Sequence, residues 1–304
     1  MKKYCFIVDE IDEGARLDKY LSDLFADISR AKLQDMIKNG KVLIGETPKK
    51  SSYNLRSADV VNLEIEEPKE AIIQPQNIAI DIVYEDENML VVNKTSGMLT
   101  HPTSVEHENT LVNALLYKYG ENLSDINGHL RRGILHRLDR NTSGLLMVAK
   151  NNKTHEFLAN QLKDRSASKQ YLAIVKGNIK EDAGSIKFPI GRHPKQARMA
   201  VVEGAKDSIT DFKVLERFRD ATYLELDLKT GRTHQIRVHL SHIKHPIIND
   251  SLYGCGSFKV NTQEQVLQSY KLAFTKPFSN EIIELEIEPD EKIKKVLTYL
   301  RQLN

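Results

Sequence analysis

The first 65 residues carry two kinds of hydrophobic periodicity. In residues 17–24, apolar side chains stand at i, i+3, i+4 and i+7, which predicts an amphipathic helix. Ser29 can cap a second helix, which continues at helical spacing until Asn39-Gly40 ends it. Two short segments follow, KVLI and DVVNLEI, and their alternation and β-branched residues predict strands. The pattern therefore predicts a small unit of two helices and a sheet.

From residue 78 onward, strand-like and helix-like segments are interspersed. A hairpin is predicted at Glu87-Asn88, between IAIDIVYED and NMLVVNK. Helices are predicted in TLVNALLYKYG, after Thr154 as a cap, in THQIRVHLSHI and at the carboxyl end. Further strands are predicted in SGLLMVAKN, QYLAIVKG, ATYLELDLKTG and NEIIELEIEP. Because the order is not a strict βαβ alternation, we expect an α+β fold with a central, mostly antiparallel mixed sheet and flanking helices.

Composition narrows the class of protein. The chain has 304 residues and a formal net charge of +2, and no run approaches the roughly 18 apolar residues of a membrane helix. The two cysteines, Cys5 and Cys255, are far apart, which excludes a disulfide framework and argues against a cysteine zinc site. An acidic residue, Asp9, interrupts the amino-terminal segment, so no secretory signal is predicted. We expect a reducing, cytoplasmic location and no membrane partner.

Positive charge is concentrated near the amino terminus. Residues 29–56 hold seven basic side chains and two acidic ones, whereas residues 64–70 are acidic around Pro68 and indicate a linker. A basic face of this kind can lie on a phosphate backbone without reading sequence. The alternative is a charged helix face that contacts only solvent, and charge alone favours it. The basic residues that we expect to contact RNA are Arg30, Lys32, Lys38 and Lys41.

Two segments of the larger part carry candidate catalytic residues. In RRGILHRLDRNTSGLLMVAK, residues 131–150, Asp139 is the one acid, and Arg137 and Arg140 on either side would stabilise its negative charge. Composition alone favours a different role, an aspartate that caps a turn. Tyr171 lies in SASKQYLAIVKG among aliphatic residues. A tyrosine there is usually part of the core, and it becomes functional if its ring faces a cleft where it can stack on a base.

A third segment, KTGRTHQIRVHLSHIKHP at residues 229–246, holds four basic side chains, four of the ten histidines and no acid. Histidines suggest a metal, but His239 and His242 share a helix face with no carboxylate or cysteine nearby, so we expect no metal site. A basic groove that faces phosphates suits these residues better. The alternative of a solvated amphipathic helix is weakened because the unbalanced charge follows a glycine turn.

Together these segments resemble the pseudouridine synthases that act on bacterial large-subunit ribosomal RNA and related RNAs. HRLDRNTSGLLMVAK, SKQYLAIVKG and TGRTHQIRVHL are similar to three motifs of that family, and the hairpin IVYEDENMLVVNKTSGMLTHP is similar to its start. RLDKYLSDLF, SRAKLQDMIKNGKVLIG and SADVVNLEI resemble the RNA-binding module first seen in ribosomal protein S-four. The chain departs from the family pattern at Asn141, where aspartate is common, and in NDSLYG and SYKLAFTKP.

The resemblance implies an organisation and a reaction. An S-four-like RNA-binding domain is expected at residues 14–66, a linker at 67–77 and a pseudouridine synthase domain at 78–304. Such an enzyme is an isomerase: uridine in RNA loses its N1–C1′ bond, and the detached uracil turns and re-bonds through C5. No metal, nucleotide or other cofactor is expected, because the product is an isomer. The expected partner is structured RNA, with large-subunit ribosomal RNA as the leading candidate.

The resemblance also implies roles for individual residues. Asp139 is the catalytic residue, which attacks the sugar, attacks the base or removes a sugar proton. Arg237 keeps it ionised, Tyr171 stacks on the uracil and assists removal of the C5 proton, and Arg137 helps to extrude the base. The other expected substrate contacts are Leu138, Ile236, Arg232 and His234. Two alternatives stay open at this point, a non-catalytic RNA-binding or ribosome-assembly protein and a metal-dependent hydrolase.

Overall fold

The computed structural model describes residues 2–25, 28–65, 73–103, 105–254, 258–260, 262 and 264–303. The chain divides into two compact units, Met1–Glu70 and Ala71–Asn304. The first six residues of the predicted linker, and Cys255, lie outside the described residues. Within the described ranges, every helix is too short or too polar to cross a membrane.

In the amino-terminal unit, two helices pack on one antiparallel sheet. Its elements are β1 (Lys2–Ile7), α1 (Leu17–Leu24), α2 (Arg30–Lys38), β2 (Val42–Ile44), β3 (Thr47–Pro48) and β4 (Val60–Ile65). The strand order is β1-β4-β2-β3. Leu17, Leu21 and Leu33 of the helices pack with Val42 and Val61 of the strands, and all five are buried. This unit therefore has a hydrophobic core of its own.

The predicted helices and strands of this unit are confirmed. Ser29 caps α2 as expected, because its hydroxyl accepts a hydrogen bond from the Lys32 amide, and Gly40 follows the helix with a φ of 72°. The strand β1 was not predicted. It is antiparallel to β4, and Cys5 pairs with Asn62. A terminal strand stabilised by a partner almost sixty residues away has no local signal beyond a weak alternation.

The carboxyl-terminal unit is built on a nine-stranded sheet. The strands of this unit are β5 (Asp81–Glu85), β6 (Met89–Lys94), β7 (Ser143–Ala149), β8 (Ser168–Lys176), β9 (Ala183–Lys187), β10 (Ile190–Arg192), β11 (Met199–Val201), β12 (Ile209–Arg217), β13 (Ala221–Leu228), β14 (Leu267–Thr275) and β15 (Ile282–Glu286). The helices are α3 (Leu111–Tyr119), α4 (Asn152–Asp164), α5 (Gln235–His242) and α6 (Glu291–Leu303).

The strand order of the large sheet is β5-β6-β7-β14-β8-β13-β12-β9, with β15 also paired to β14, while β10 and β11 form a separate ribbon. The pair β7–β14 is parallel, and the other pairs of the sheet are antiparallel. The expected α+β fold with a central, mostly antiparallel mixed sheet is therefore confirmed.

Helices cover both faces of this sheet because its central strands are apolar on both. On β7, Leu146 and Val148 share a hydrophobic cluster with residues of α3, α5 and α6, whereas Leu145 and Met147 share one with Leu158 of α4. All seven residues of β7 are buried, as expected for a strand with two covered faces. The strand thus gives a firm base to the loop that precedes it.

A close approach between β7 and β14 sets the position of that loop. Gly144 has a φ of 113°, and a Cβ there would lie 2.0 Å from the carbonyl oxygen of Ser269. Only glycine fits this conformation and this spacing. Ser269 also pairs with Tyr171 of β8. The glycine therefore brings the loop that carries Asp139 close to the strand that carries Tyr171.

The structure corrects two parts of the sequence prediction. Asn151, not Thr154, caps α4: the Asn151 side chain accepts a hydrogen bond of 2.9 Å from the Thr154 amide, and Thr154 lies inside the helix. The strands β9 to β12 and β14 were not predicted. Much of β14 is buried although it includes Gln268, Ser269 and Lys271, so neither an apolar run nor a clear alternation marks it.

We expect the chain without residues 1–70 to fold, because each unit has a separate buried core. Urea unfolding of the truncated protein should give one cooperative transition. It should bind RNA more weakly than the full chain, and the difference should shrink as the salt concentration rises, because the lost contacts are electrostatic. Insoluble protein or non-cooperative unfolding would show that the two halves depend on each other.

Candidate active site

A pocket lies where the loop before β7, the strand β8 and the start of α5 meet. It is lined by all eight residues of this unit that the sequence predicted as catalytic or substrate-binding: Asp139, Tyr171, Arg237, Arg137, Leu138, Ile236, Arg232 and His234. Four more lining residues were not singled out: Thr142, Leu228, Gln235 and Leu267. The fold therefore brings the three motif segments into one site.

Arg237 is bonded to two carboxylates. Its Nη1 donates to Asp139 Oδ2 at 2.9 Å. Its Nε and Nη2 donate to Asp250 Oδ2 and Oδ1 at 2.8 and 2.9 Å, which is a bidentate pair. Burial works against the charge of Arg237, but the hydrogen bonds and charges of Asp250 and Asp139 outweigh it and raise the pKa of the guanidinium. The arginine is therefore a fixed cation beside Asp139.

Asp250 anchors this arrangement, and the sequence did not identify it. Its side chain is fully buried and accepts two further hydrogen bonds of 3.0 Å, from the amides of Leu252 and Tyr253. Burial opposes its ionisation, but the hydrogen bonds from Arg237 lower its pKa below the ordinary value. The signal was present in NDSLYG, which was noted only as a departure from the family pattern.

The His234 ring lies between Asp139 and the buried Tyr253. It stands before α5 with a φ of 56°, a left-handed conformation that is uncommon for residues other than glycine. Its Nε2 lies 3.8 Å from Asp139 Oδ1, and its Nδ1 lies 2.9 Å from the hydroxyl oxygen of Tyr253. Burial lowers the pKa of His234, against the opposing effect of Asp139. The neutral ring is therefore favoured at this position.

Tyr171 is buried, with 5% of its surface exposed, and yet its side chain lines the pocket. This is the arrangement in which a tyrosine can stack on a base rather than serve only as core. Burial raises the pKa of Tyr171, although a hydrogen bond with Ser269 opposes this shift. Its phenol is therefore neutral over the physiological pH range.

Two lysines, buried Lys94 and partly buried Lys292, hold the loop of Asp139 through its backbone. Lys94 donates to three carbonyl oxygens, including that of Arg140 at 3.0 Å. Lys292 donates to the carbonyl oxygen of Asn141 at 3.1 Å. Burial, and next the charge of Lys292, lower the pKa of Lys94 to about 7. Neither lysine was identified from the sequence, since Lys94 resembled only the polar end of a strand.

The two arginines beside Asp139 in the sequence do not pair with it. Arg140 donates to Glu106 through both terminal nitrogens. Arg137 is exposed at the pocket and pairs with no carboxylate among the described residues. The arginine that bonds Asp139 is Arg237, which is 98 residues away in the sequence.

In the amino-terminal unit, Arg30 is engaged within the fold. It donates to Asp18, a fully buried carboxylate that also accepts from Arg16 and Gln34. The hydrogen bonds of Arg16, followed by those of Gln34 and Arg30, lower the pKa of Asp18 despite its burial. About half of the Arg30 side chain stays exposed beside this internal bond, and its contact with RNA stays a prediction.

The other basic residues predicted to contact RNA lie along α2 and just after it. Lys32 and Lys38 are exposed, and Lys41 is half-buried before β2. A groove of about 760 Å³ lies between α2 and residues 48–52, and Lys38 is among the residues that line it. Two more lysines line the same groove, at positions 49 and 50. Lysine side chains are therefore concentrated along one groove of this unit.

The histidines that suggested a metal have other partners. The His239 ring lies 2.9 Å from the Thr210 hydroxyl and 3.0 Å from the Phe188 carbonyl oxygen. Within the part of the chain that the structure describes, no group of three or more histidine, cysteine or acidic side chains is placed to hold a metal ion. The ligand set that a metal-dependent hydrolase would need is not formed by these residues.

Comparisons with known proteins identify the class. The family described as RNA pseudouridylate synthase matches residues 88–242, and the S4 domain matches residues 15–61. The chain is 39% identical over 303 residues to an uncharacterised RNA pseudouridine synthase of Bacillus subtilis, with 99% of each chain covered. It is 42% identical over 248 residues to a ribosomal large subunit pseudouridine synthase D of Pseudomonas aeruginosa, covering 81% of this chain and 76% of that one.

A solved structure is similar as well. The human RNA pseudouridylate synthase domain containing 1 superimposes with a TM-score of 0.57 at 27% identity, over 74% of this chain and 96% of that one. The chain belongs to the RNA pseudouridylate synthase family. It is an isomerase that converts uridine in RNA to pseudouridine, with an S4 RNA-binding domain at its amino terminus. The resemblance stated from the sequence is confirmed.

We expect Asp250→Asn to lower the free energy of unfolding by about 3 kcal/mol, the lower end of the cost of breaking a buried ion pair, because Asp139 still pairs with Arg237. Turnover at saturating RNA should fall, whereas RNA affinity should change little, since Asp250 does not line the pocket. The control is Glu106→Gln, which breaks an exposed pair and should cost about 1 kcal/mol or less. Urea unfolding and single-turnover assays measure both, and equal effects of the two substitutions would contradict this account.

The pKa of Lys94 predicts a pH dependence of stability. Between about pH 7 and its ordinary value of 10.5, the unfolded chain binds the proton more strongly than the fold does. This contribution to stability should therefore increase as the pH rises through that window and be lost as the pH falls towards 7. In Lys94→Met, the slope of unfolding free energy against pH should be smaller by up to about 1.4 kcal/mol per pH unit. Urea unfolding between pH 7 and 9 tests this, and identical slopes would refute it.

Proposed function

We propose that this enzyme modifies large-subunit ribosomal RNA in the cytoplasm, with Asp139 as its catalytic carboxylate. Relatives named ribosomal large subunit pseudouridine synthase D support that RNA class, as does the preceding S4 domain. The observation that carries the assignment of Asp139 is its hydrogen bond with Arg237 in a pocket that Tyr171 also lines. A carboxylate held in this way lines the pocket that the target nucleotide would enter.

The reaction breaks one bond and forms another at the same sugar carbon. The N1–C1′ bond of uridine breaks, the uracil rotates, and a bond forms between C5 and C1′. The proton of C5 leaves, and N1 gains a proton, so the product is an isomer. Asp139 acts by attack on C1′, by attack on the ring or by removal of a sugar proton. In each route Arg237 supplies the counter-charge and the orientation of the carboxylate.

Tyr171 acts by stacking on the uracil. Its ring lines the same pocket as Asp139, and its raised pKa keeps the hydroxyl protonated. A protonated phenol cannot accept the C5 proton, so stacking is the role that the environment of this side chain supports. The flat ring can accompany the uracil as it turns, because stacking does not depend on one orientation of the base.

The uridine must leave its stack before it can reach Asp139. Leu138 and Ile236 are buried at the pocket wall, where they can pack against the extruded base. Arg137 is exposed at the same pocket without a carboxylate partner among the described residues, so its guanidinium is available to the RNA at the point of extrusion. Arg232 and His234 complete the contacts to the nucleotide.

The S4 domain adds affinity without reading sequence. Lys32 and Lys38 are exposed on α2, and the groove beside that helix carries further lysines. Lys41 completes this basic set, and Arg30 contributes less because it is bonded to Asp18. Contacts of this type position an RNA through its phosphates.

The test is to map pseudouridine in total RNA from cells with and without this gene. We expect particular positions of large-subunit ribosomal RNA to lose pseudouridine, and the wild-type gene to restore them. The Asp139→Asn variant should not restore them although it binds RNA like the wild type, because the change removes the carboxylate and keeps its shape. Restoration by the variant would refute the role of Asp139. Loss of sites only in other RNAs would refute the proposed target.

A further inference from the structure

Lys169 lies beside the active-site pocket and has no part in the proposed reaction. It is on β8, two residues before Tyr171, so both side chains project from the same face of the sheet. In the antiparallel pairing of β8 with β13, Leu226 pairs with Tyr171 and Asp227 with Gln170, and Leu228 is the next residue of β13. Leu228 lines the pocket. Two residues along a strand correspond to about 7 Å, which places Lys169 one step beyond the stacking tyrosine.

The ammonium of Lys169 forms no hydrogen bond or ion pair with the described residues. The lysine is only 9% exposed. Asp227 is the acid that acts on it electrostatically, but Asp227 is bonded to Lys229. Its other titratable neighbour is His136, whose pKa is lowered to about 3 by burial and then by Lys169. That ring is neutral, so it offers no negative charge.

Two other lysines of this unit, buried Lys94 and partly buried Lys292, have several hydrogen-bond acceptors each. Lys94 donates to three carbonyl oxygens, and Lys292 donates to three oxygens and lies near two carboxylates. Burying a charged group without such partners is costly. Burial lowers the pKa of all three lysines, so the difference at Lys169 is the lack of a hydrogen-bond acceptor; Asp227 partly opposes the shift there. A lysine kept there without an internal acceptor is suited to an acceptor that arrives with the ligand.

The turn beside Lys169 is open to a ligand. Gly231 is exposed, and a Cβ on it would lie 3.8 Å from the Lys169 ammonium. The backbone of Gly231 does not have the positive φ that would by itself require glycine. A side chain at this position would cover the approach to the ammonium, and the glycine leaves that approach free. The next residue, Arg232, lines the pocket.

We propose that Lys169, approached past Gly231, forms a phosphate subsite that binds a phosphodiester oxygen next to the uridine held at Asp139. The spacing favours a phosphate over the base, because the uracil lies against Tyr171 and the separation along β8 is comparable with that between a nucleobase and its own phosphate. The inference rests on the proposed function, since the same RNA must occupy both places.

Lys169→Met tests the charge while it keeps the length and the apolar stem of the side chain. RNA binding by this variant should weaken, and the slope of log affinity against log salt should become smaller by about 0.7–0.9, the value of one lost phosphate contact. The matched control is Lys213→Met, at an exposed lysine of β12, which should leave the slope unchanged. The melting temperature of Lys169→Met should not fall, because Lys169 forms no hydrogen bond or ion pair with the described residues that the substitution would break. A lower melting temperature with an unchanged salt slope would overturn the subsite.

A neutral phosphate gives the sharper test. A ribosomal RNA fragment that the wild type converts is prepared with one methylphosphonate, placed either before or after the target uridine. One of these changes should slow single turnover by the wild type, and the same change should have no further effect in Lys169→Met. Equal slowing of both proteins at both positions would overturn the phosphate subsite. Failure of the wild type to convert any ribosomal RNA fragment would instead refute the proposed target.

Discussion

The site depends on one buried guanidinium that serves two carboxylates. Asp250 occupies Nε and Nη2 of Arg237, and Nη1 is the nitrogen that reaches Asp139. A planar guanidinium that is fixed on one edge holds its remaining N–H groups, including those of Nη1, in fixed directions. The position of Asp139, the proposed catalytic carboxylate, therefore follows from that of Asp250, a residue that does not line the pocket. A lysine could supply the charge of Arg237 but not this direction.

The sequence predicted the residues that line the pocket far better than the residues that hold them in position. Asp139, Tyr171 and Arg237 each stand in a short segment with a recognisable order of residues. Asp250 acts through a contact with an arginine in another segment, and Lys94 acts through the carbonyl oxygen of a residue 46 positions later. Bonds to distant backbone atoms leave no pattern of residue types, so local reasoning cannot find them.

The same limit applies to the fold. Strands β6 and β7 and helix α3 were predicted because apolar runs and a terminal Gly120 mark them. The central strand β14 was missed because it buries polar side chains such as Gln268, which bonds the Glu288 carbonyl and the Asp290 amide. A buried amide satisfied by a distant backbone is stable, but along the chain it resembles a loop.

Lys94 and Lys292 hold the loop of Asp139 by its backbone, and this affects how the sequence of that loop can vary. Lys94 and Lys292 bind the carbonyl oxygens of Arg140 and Asn141, and every residue type carries that oxygen. The side chains at these two positions can therefore drift while the loop keeps its shape. Asn141 stands where similar enzymes commonly carry aspartate, and its bond to Lys292 uses the backbone carbonyl oxygen rather than the side chain. We therefore expect the loop to tolerate substitution immediately beside Asp139, the proposed catalytic carboxylate.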